Sequence, residues 1–303
     1  MRHMVLTTCL TKHIHVIFGS GTVSMKESTQ TKYLELQKYL ANLKNAAIAF
    51  SSGVDSTLLL RVAHDVLGDN ILAITARSCA FSKREFNEAQ AYCERNHIRH
   101  VVVETDELSI DGFRQNPPER CYLCKRELFN AFWMIARSNR FDHLCEGSNL
   151  DDDADYRPGR RALRELAVQS PLRACSLSKA EIREISQALG LSTAKKPSFA
   201  CLASRFAYGE EITQEKLAMV ERAEQLLIDL GFDQVRVRIH ETLARIEVSP
   251  DQLPLIMKPE VRGTICTQFK AIGFSYITLD LMGYRLGSMN ETLPDELINK
   301  FSH

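Results

Sequence analysis

The stretch A-A-I-A-F-S-S-G-V-D-S, residues 46–56, decides the fold of this chain. Its first five residues form a short apolar run, which is typical of a buried strand. The residues from Ser56 to Ala63 have helix-forming composition, and this helix is predicted to end near Gly68. Residues 51–56 are therefore predicted to form a tight turn that leads from a strand directly into a helix.

This turn is a candidate phosphate-binding loop. Small residues let backbone N–H groups approach an anion closely, and the N-terminus of a helix adds a partial positive charge. The loop lacks the common pattern G-x-x-x-x-G-K-[ST], because no lysine follows its glycine. The alternative interpretation is an ordinary strand-to-helix turn that happens to be rich in serine and glycine.

Composition places the chain among soluble globular proteins. Its 303 residues predict two domains, and 45% hydrophobic and 25% charged residues are ordinary values for that class. The formal net charge is zero and the isoelectric point is about 7.1, so no basic surplus indicates a nucleic acid partner. No apolar run is long enough to span a bilayer, and no export signal is evident, so we predict a cytoplasmic protein without membrane contacts.

Strands and helices alternate from residue 46 to about residue 200. Further strands are predicted at 71–75, 100–104 and 141–145, and helices at 83–96, 124–138 and 179–189. Ser82 is predicted to cap the helix at 83, with Glu85 at the spacing of a capping box. This alternation predicts an α/β fold with a doubly wound parallel sheet, which binds ligands at the carboxyl ends of its strands.

The pattern changes after Lys196-Pro197. A long helix is predicted at 213–230, and two strands at 235–239 and 243–248 alternate with period two, so we expect them to be half-exposed. A helix and a strand at 275–279 complete a smaller C-terminal α+β domain. We divide the chain into three parts: an N-terminal extension (1–28) that need not be ordered, a nucleotide-binding domain (29–207), and a C-terminal domain for substrate binding and oligomerisation (208–303). Met25 is an alternative start of the protein.

Three of the nine cysteines are arranged unlike the rest. Cys121 and Cys124 form a C-x-x-C pattern at the start of a helix, and Cys201 lies in P-S-F-A-C-L-A-S-R, residues 197–205. Three thiolates could bind three irons of a [4Fe–4S] cluster, or hold zinc together with a fourth ligand. The two cysteines of the C-x-x-C pattern could instead act as a redox pair, and packing without chemistry is the remaining interpretation. Five others, Cys79, Cys93, Cys145, Cys175 and Cys266, are predicted to be buried small hydrophobic residues.

Residues 51–56 resemble the S-G-G-x-D-S loop of the PP-loop N-type ATP pyrophosphatases, with Ser52 in place of the first glycine. Serine is small and can donate a hydrogen bond, so we expect a working loop unless this position requires a positive φ. From about residue 34 to 292 the chain resembles one family of this superfamily, the LarE family of ATP-dependent sulfur transferases. The motifs that carry this likeness are R-C-x-x-C-K (120–125), E-G-S-N-L-D-D (146–152), D-Y-R-P-G-R (155–160), S-P-L (170–172), P-S-x-A-C-L-A-S-R (197–205) and G-Y-R-x-G-S-M-N (283–290).

The resemblance implies that ATP adenylates the carboxylates of pyridinium-3,5-biscarboxylic acid mononucleotide. A sulfur donor then displaces AMP and gives the bisthiocarboxylic form, a precursor of the nickel-pincer nucleotide cofactor. ATP binding is implied for Ser51, Ser52, Gly53, Val54, Asp55, Ser56, Thr75, Arg77, Gly147 and Asn149, with Asp55 as a Mg²⁺ contact. Substrate binding is implied for Arg205, Glu224, Arg236, Arg238 and Arg285, and the two arginines at 236 and 238 share one face of a strand.

The family supplies sulfur in two ways. Some members sacrifice the sulfur of one cysteine, which matches Cys201, and others hold a sulfide on a [4Fe–4S] cluster bound by three cysteines. Because Cys121 and Cys124 accompany Cys201, we expect the cluster route, and sacrifice of Cys201 remains the alternative. A tRNA thiolase of the same superfamily and a zinc-stabilised nucleotide-binding module are the other candidate functions. The resemblance also implies a homo-oligomer, with a hexamer as the expected form, and a downstream nickel-inserting protein as partner.

Overall fold

The computed structural model describes residues 25–154, 158–285, 287, 288 and 290. The predicted extension up to residue 24, the residues D-Y-R of one motif and Met289 of another lie outside these ranges. Within them the chain builds two sheets with separate hydrophobic cores. None of the helices in the described part of the chain combines the length and hydropathy that crossing a bilayer would require.

The first sheet is entirely parallel and has the strand order β3-β2-β1-β4. Its strands are β1 (Ala46–Ala49), β2 (Ile71–Arg77), β3 (His100–Glu104) and β4 (Leu144–Cys145). Seven helices belong to this part of the chain: α1 (Glu27–Leu43), α2 (Val54–Leu67), α3 (Lys83–Arg95), α4 (Arg120–Ser138), α5 (Gly159–Glu165), α6 (Pro171–Ala174) and α7 (Lys179–Ala188). Parallel strands need such crossover helices, so the order of elements along the chain follows from the strand direction.

Alternate residues of the central strands face two different helix layers. Ala46 and Ile48 of β1 pack into a core with buried residues of α1, α2 and α7, whereas Ala47 packs with Phe129 and Phe132 of α4. Both faces of the sheet are therefore covered by helices. This confirms the predicted doubly wound parallel sheet and explains why its strands read as continuous apolar runs rather than alternating ones.

The second sheet has three strands in the order β5-β6-β7. β5 (Val235–His240) and β6 (Leu243–Val248) are antiparallel, and β7 (Tyr276–Leu279) is parallel to β6. The accompanying helices are α8 (Gln214–Asp229), α9 (Leu253–Ile256) and α10 (Pro259–Ile272). The second core also takes in residues from upstream of position 207, namely Leu108, Phe113, Leu202, Ala203 and Phe206. The boundary between residues 207 and 208 stays a prediction.

Several element boundaries differ from the predictions. The fourth strand is reduced to two residues, and α4 begins at Arg120, so both cysteines of the C-x-x-C pattern lie inside its first turns. Ser82 is the N-cap residue of α3, but its side chain makes no capping bond. The capping box is found instead at the start of α7, where Ser178 and Glu181 bond reciprocally. A capping motif inferred from spacing alone was therefore wrong at α3, because Glu85 is engaged with Lys196.

Strand β5 and one cysteine also depart from the prediction. We expected β5 to be half-exposed, but its first five residues are buried, because Arg236 and Arg238 on its outer face are covered by neighbouring segments. Cys93, Cys145 and Cys175 are buried as predicted, and Cys79 is partly buried. Cys266 was predicted to be buried but lies exposed on α10, where the residues one turn away on either side are also exposed.

Candidate active site

The predicted phosphate loop follows the carboxyl end of β1 and leads into α2, whose N-cap is Gly53. Ser51 is exposed, and its hydroxyl lies 3.1 Å from that of Ser56. The backbone N–H of Ser51 also donates to Ser56 Oγ at 3.3 Å. The loop therefore closes on itself around two hydroxyl groups at the N-terminus of a helix, which is a geometry suited to a phosphate.

Ser52 has the backbone conformation that glycine normally provides. A positive φ was the one condition under which we did not expect serine to suit this position, and the φ of Ser52 is +54°. Two neighbours hold it there: its hydroxyl donates to the carbonyl of Glu85 at 2.9 Å, and Lys196 Nζ donates to its carbonyl oxygen at 3.0 Å. The left-handed conformation costs about 1 kcal/mol for a residue with a side chain. These tertiary hydrogen bonds offset that cost.

The carboxylate of Asp55, the predicted Mg²⁺ contact, is already engaged. Asn149 Nδ2 donates to one of its oxygens at 3.2 Å, and Lys179 forms an ion pair with the other. The described residues contain no group of three or more His, Cys, Asp or Glu side chains that could hold a metal ion. In this arrangement Lys179 occupies the carboxylate oxygen of Asp55 that a cation would otherwise contact.

The segment after β4 packs directly on the phosphate loop. A Cβ atom on Gly147 would lie 3.0 Å from the backbone nitrogen of Ser56, so a larger residue would push this segment away from the start of α2. The backbone N–H of Asn149 donates to Asp152 at 2.9 Å, which orders the segment. The structure thus brings Gly147 and Asn149 beside residues 51–56, as the carboxyl ends of adjacent parallel strands require.

Thr75 and Arg77 on β2 occupy different environments. Thr75 is buried, its hydroxyl donates to the carbonyl of Phe50 at 2.7 Å, and it lies 2.8 Å from His100 Nε2. Arg77 is exposed and pairs with Glu104 at 3.3 Å. Thr75 therefore fixes the end of β1 that carries the loop, and Arg77 is the more accessible of the two predicted ATP contacts.

The buried guanidinium of Arg120 contacts Cys121 and the segment that carries Cys201, but the described residues do not bring three thiols together as metal ligands. Arg120 Nη2 lies 3.5 Å from Cys121 Sγ, and Arg120 Nη1 donates to the carbonyl of Ala203, two residues after Cys201, at 2.8 Å. Burial by itself lowers the pKa of Arg120, but Cys121 and Cys201 raise it above its ordinary value. Spacing did not single out Arg120, although it directly precedes the C-x-x-C pattern.

Burial keeps two of these thiols protonated. Burial raises the pKa of Cys124 well above its ordinary value, and Cys201 and Glu107 raise it further. Burial likewise raises the pKa of Cys201, which Arg120 partly offsets. Cys124 and Cys201 both pack against the second core, whereas Phe50 and Val54, which flank the first three loop residues, belong to the first core.

Arg205 and Glu224 form a buried bidentate ion pair. The guanidinium donates to the two carboxylate oxygens at 2.8 and 2.7 Å, and both side chains are almost completely excluded from solvent. Arg205 also donates to the carbonyls of Ala200 and Cys201, at 2.7 and 3.1 Å. This pair therefore anchors the segment that carries Cys201 to α8.

Arg236 and Arg238 share a face of β5 but differ in their partners. Arg238 donates to both oxygens of Glu247 at 3.0 Å and to Ser288 Oγ at 3.0 Å. Arg236 donates to the carbonyls of Val235 and Ser198, and the described residues place no carboxylate in an ion pair with it. Burial and the nearby Arg205 lower the pKa of Arg236 to about 10. Glu224 and Tyr284 partly offset this effect, so Arg236 is a buried cation near a carboxylate that Arg205 already pairs with.

Arg285 lies at the edge of this region. Its Nη1 is 3.5 Å from Asp280 Oδ1, and Asp280 also pairs with Arg245 at 3.1 Å. Arg285 is more exposed than the arginines of β5. Of the five predicted substrate residues, Arg205 and Glu224 therefore pair with each other, and Arg238 pairs with Glu247, which was not predicted. Arg236 is buried without an ion pair among the described residues, and Arg285 is half-exposed.

One short segment joins the phosphate loop to the cysteines. Lys196 contacts Ser52, and five residues later Cys201 begins the turn whose next residue, Leu202, donates its N–H to the carbonyl of Ala80 at 2.8 Å. The sequence patterns did not single out Lys196, Lys179 or Glu247. A lysine beside a proline and a glutamate on a strand carry no local signal, because only their distant partners give them a role.

Comparison with known proteins places the chain in a family. It shares 44% identity over 264 residues with an uncharacterized protein of Synechocystis, covering 87% of this chain and 98% of that relative. Over 61% of its length it is 23% identical to a glutamine-hydrolyzing GMP synthase component from Haloarcula marismortui, of which it covers 64%. A comparison with models of known protein families gave no match.

One relative that matches over most of its length has an assigned activity. The pyridinium-3,5-bisthiocarboxylic acid mononucleotide synthase of Lactiplantibacillus plantarum is 36% identical over 275 residues, which cover 90% of this chain and 98% of the synthase. A protein of Methanocaldococcus jannaschii is 31% identical over 89% of the chain. At this identity and coverage, the chain belongs to the family of the pyridinium-3,5-bisthiocarboxylic acid mononucleotide synthase, the LarE family.

Proposed function

We propose that this protein is an ATP-dependent sulfur transferase that converts pyridinium-3,5-biscarboxylic acid mononucleotide to its bisthiocarboxylic form. The observation that carries the proposal is the link between a phosphate loop and a three-cysteine group through the segment from Lys196 to Leu202. Family membership supports the choice of substrate. The thiolated nucleotide would serve a nickel-pincer cofactor, and a nickel-inserting protein would follow in its synthesis.

The first step joins the substrate carboxylate to AMP. A carboxylate oxygen attacks the α-phosphorus of ATP, and the bond to the pyrophosphate leaving group breaks. The backbone N–H groups of residues 51–56, with the hydroxyls of Ser51 and Ser56, would hold that pyrophosphate as its negative charge grows. Mg²⁺ carried by ATP would neutralise part of the charge, and Asp55 would contact it after releasing Lys179.

The second step exchanges oxygen for sulfur. A sulfur nucleophile attacks the acyl carbon of the adenylate and AMP leaves, which turns the carboxylate into a thiocarboxylate. The buried Arg236 would pair with the substrate phosphate, because it is the arginine of β5 without a carboxylate partner among the described residues. Arg205 and Glu224 would position Cys201 by holding its segment.

The donor set at the cysteines fits an iron–sulfur group. Cys121, Cys124 and Cys201 would offer three partly buried thiol ligands, which must draw closer together before they could share a metal. When bound, a [4Fe–4S] cluster would supply a sulfide at its open iron. Without it, the sulfur of Cys201 would itself form the thioester, and β-elimination would leave dehydroalanine at residue 201.

One preparation tests the sulfur route. The protein is purified without oxygen, and iron, sulfide and the intact mass are measured beside Cys201→Ala, with exposed Cys266→Ala as the matched control. We expect about four irons per chain, lost in Cys201→Ala and kept in the control. A colourless protein that loses about 34 Da per turnover, the mass of H₂S, would overturn the cluster route and establish sacrifice of Cys201.

The activation step and the assembly have separate tests. Exchange of labelled pyrophosphate into ATP, dependent on the pyridinium carboxylate nucleotide, is the expected activity of the phosphate loop. Exchange that requires tRNA instead would overturn the proposed substrate. The expected homo-oligomer, a hexamer, is measured by light scattering on the same preparation.

A further inference from the structure

A large cavity lies beside the phosphate loop but is separate from its ligand-binding side. Its volume is about 990 Å³, and its walls are α3, the segment 192–199, Thr57 of α2 and the end of α8 with the turn that follows it. Of the loop residues 51–56, the cavity touches Ser52 alone, and neither Gly147 nor Asn149 lines it. The volume is in the range of pockets that bind small molecules.

Unpaired buried polar atoms are concentrated around this cavity. The described residues contain eight buried side-chain nitrogen or oxygen atoms without a hydrogen-bond partner. Half of them belong to residues that line the cavity: Thr57 Oγ1, Arg84 Nε, Tyr92 OH and Thr193 Oγ1. These four atoms are themselves shielded from solvent, so a ligand in the cavity would meet them only after their side chains turn toward it. An unmatched buried polar atom is destabilising, which would favour that rearrangement.

Thr57, Tyr92 and Arg84 carry three of these four polar atoms. Thr57 is 1% exposed, yet its hydroxyl has no partner in the described part of the chain. Burial raises the pKa of Tyr92 to about 12, so its hydroxyl keeps its proton and can donate. The guanidinium of Arg84 lies over the ring of Phe199 at 4.4 Å, and Glu88 Oε1 is 3.8 Å from Arg84 Nε, beyond hydrogen-bond distance.

The charge around the cavity favours an anion. Its lining includes five basic side chains and only two acidic ones, which are Lys83, Arg84, Arg95, Lys195 and Lys196 against Glu88 and Asp233. Lys196 is already engaged with Ser52 and Glu88, but Lys83 and Lys195 have no ion-pair partner in the described ranges. Several cations spread along α3 match a ligand with more than one anionic group.

We propose that this cavity binds a small molecule that carries two or more phosphate groups, at a second anion site behind the phosphate loop. Hydroxyl and guanidinium donors are the groups that satisfy phosphate oxygens, and the cavity offers both. Lys196 lies in the wall shared with Ser52, so an anion here would bind next to the residue that holds the loop in shape.

The test uses the full chain and inorganic pyrophosphate as the probe. Calorimetry counts the binding events, and hydrogen exchange locates the protection they cause. We expect two events, one protecting residues 51–57 and the other protecting 83–95 and 192–199. The exposed pair Arg95→Gln/Lys195→Gln removes two cavity cations, and the exposed pair Lys38→Gln/Lys270→Gln removes the same charge elsewhere.

The expected result is a loss of about tenfold or more in affinity at the cavity for Arg95→Gln/Lys195→Gln, with the control pair unchanged. Thr193→Val, which removes one unpaired hydroxyl, should weaken the same event while leaving the free protein as stable or more stable. Equal affinities in both double variants, or protection confined to residues 51–57, would overturn the proposal. Protection at the cavity without protection at 51–57 would instead contradict the proposed function alone.

Discussion

The phosphate loop and strand β5 are both short motifs that predict anion binding, but they reach their final form differently. Residues 51–56 lie in one turn in which the hydroxyls of Ser51 and Ser56 contact each other, and distant partners of Ser52 and Asp55 then fix the turn in place. The two arginines of β5 share one face, yet Arg238 is committed to Glu247 while Arg236 is not. Local motifs therefore define a backbone cradle, whereas the function of a buried side chain depends on which distant partner reaches it.

The largest expected effect concerns the buried pair behind the cysteine segment. Arg205→Met leaves Glu224 charged in the interior without its ion-pair partner and with the Val237 N–H as a remaining donor, so it should lower the free energy of unfolding by about 3–5 kcal/mol. Urea unfolding measures this. The double variant Arg205→Met/Glu224→Leu should recover most of the loss, because it removes both charges. A single variant within about 1 kcal/mol of the parent would show that the pair is not structural.

The second prediction separates the two arginines of β5. Arg238→Met should destabilise the fold by about 2–3 kcal/mol, since Glu247 would keep only Arg245, at 3.4 Å, as a partner. Arg236→Met should cost less, about 1 kcal/mol, because no ion pair in the described residues is broken, but it should weaken binding of the nucleotide substrate. Unfolding in urea and substrate titration give the two numbers. Equal losses of stability in Arg236→Met and Arg238→Met would contradict the difference predicted between the two arginines.

The third prediction concerns the strained serine. In the parent, Ser52→Gly exchanges a strain of about 1 kcal/mol for a lost hydrogen bond, so stability should change little. In Lys196→Met, which lacks one of the bonds that hold Ser52, the same change should be more favourable by about 0.5–1 kcal/mol. A thermodynamic double-mutant cycle measures the difference. Additive effects would mean that Lys196 does not support this conformation.

The smallest expected effect is a dependence on pH at the base of the loop. Burial lowers the pKa of His100, which lies next to Thr75, below its usual value of 6.5. The unfolded chain then binds more protons than the folded one below pH 6.5, so stability should fall as the pH drops from 6.5 through the folded pKa. His100→Gln should flatten this fall in urea titrations between about pH 7.5 and 5. An unchanged slope would assign the acid sensitivity to other groups.

The sequence predicted the first sheet better than the second. Strands β1 to β3 and the helices between them follow from apolar runs and caps, and the match between pattern and structure is close. Strand β5 was misjudged because period-two alternation normally marks a face open to water, and here the charged face is buried under Ser198 and Ser204. The pairing of Arg205 with Glu224 and of Arg238 with Glu247 could not be inferred from spacing, because each pair joins two different elements of the fold.

By itself, the sequence determined the strand–loop–helix unit at residues 46–67, the parallel sheet around it and the position of two cysteines at the start of α4. These features depend on residues close together in the chain, where periodicity and capping act. Only the tertiary structure decided the positive φ of Ser52, the burial of Arg236 and the cavity beside α3. Each of these depends on residues far apart in the chain, whose contacts form only when the two cores are assembled.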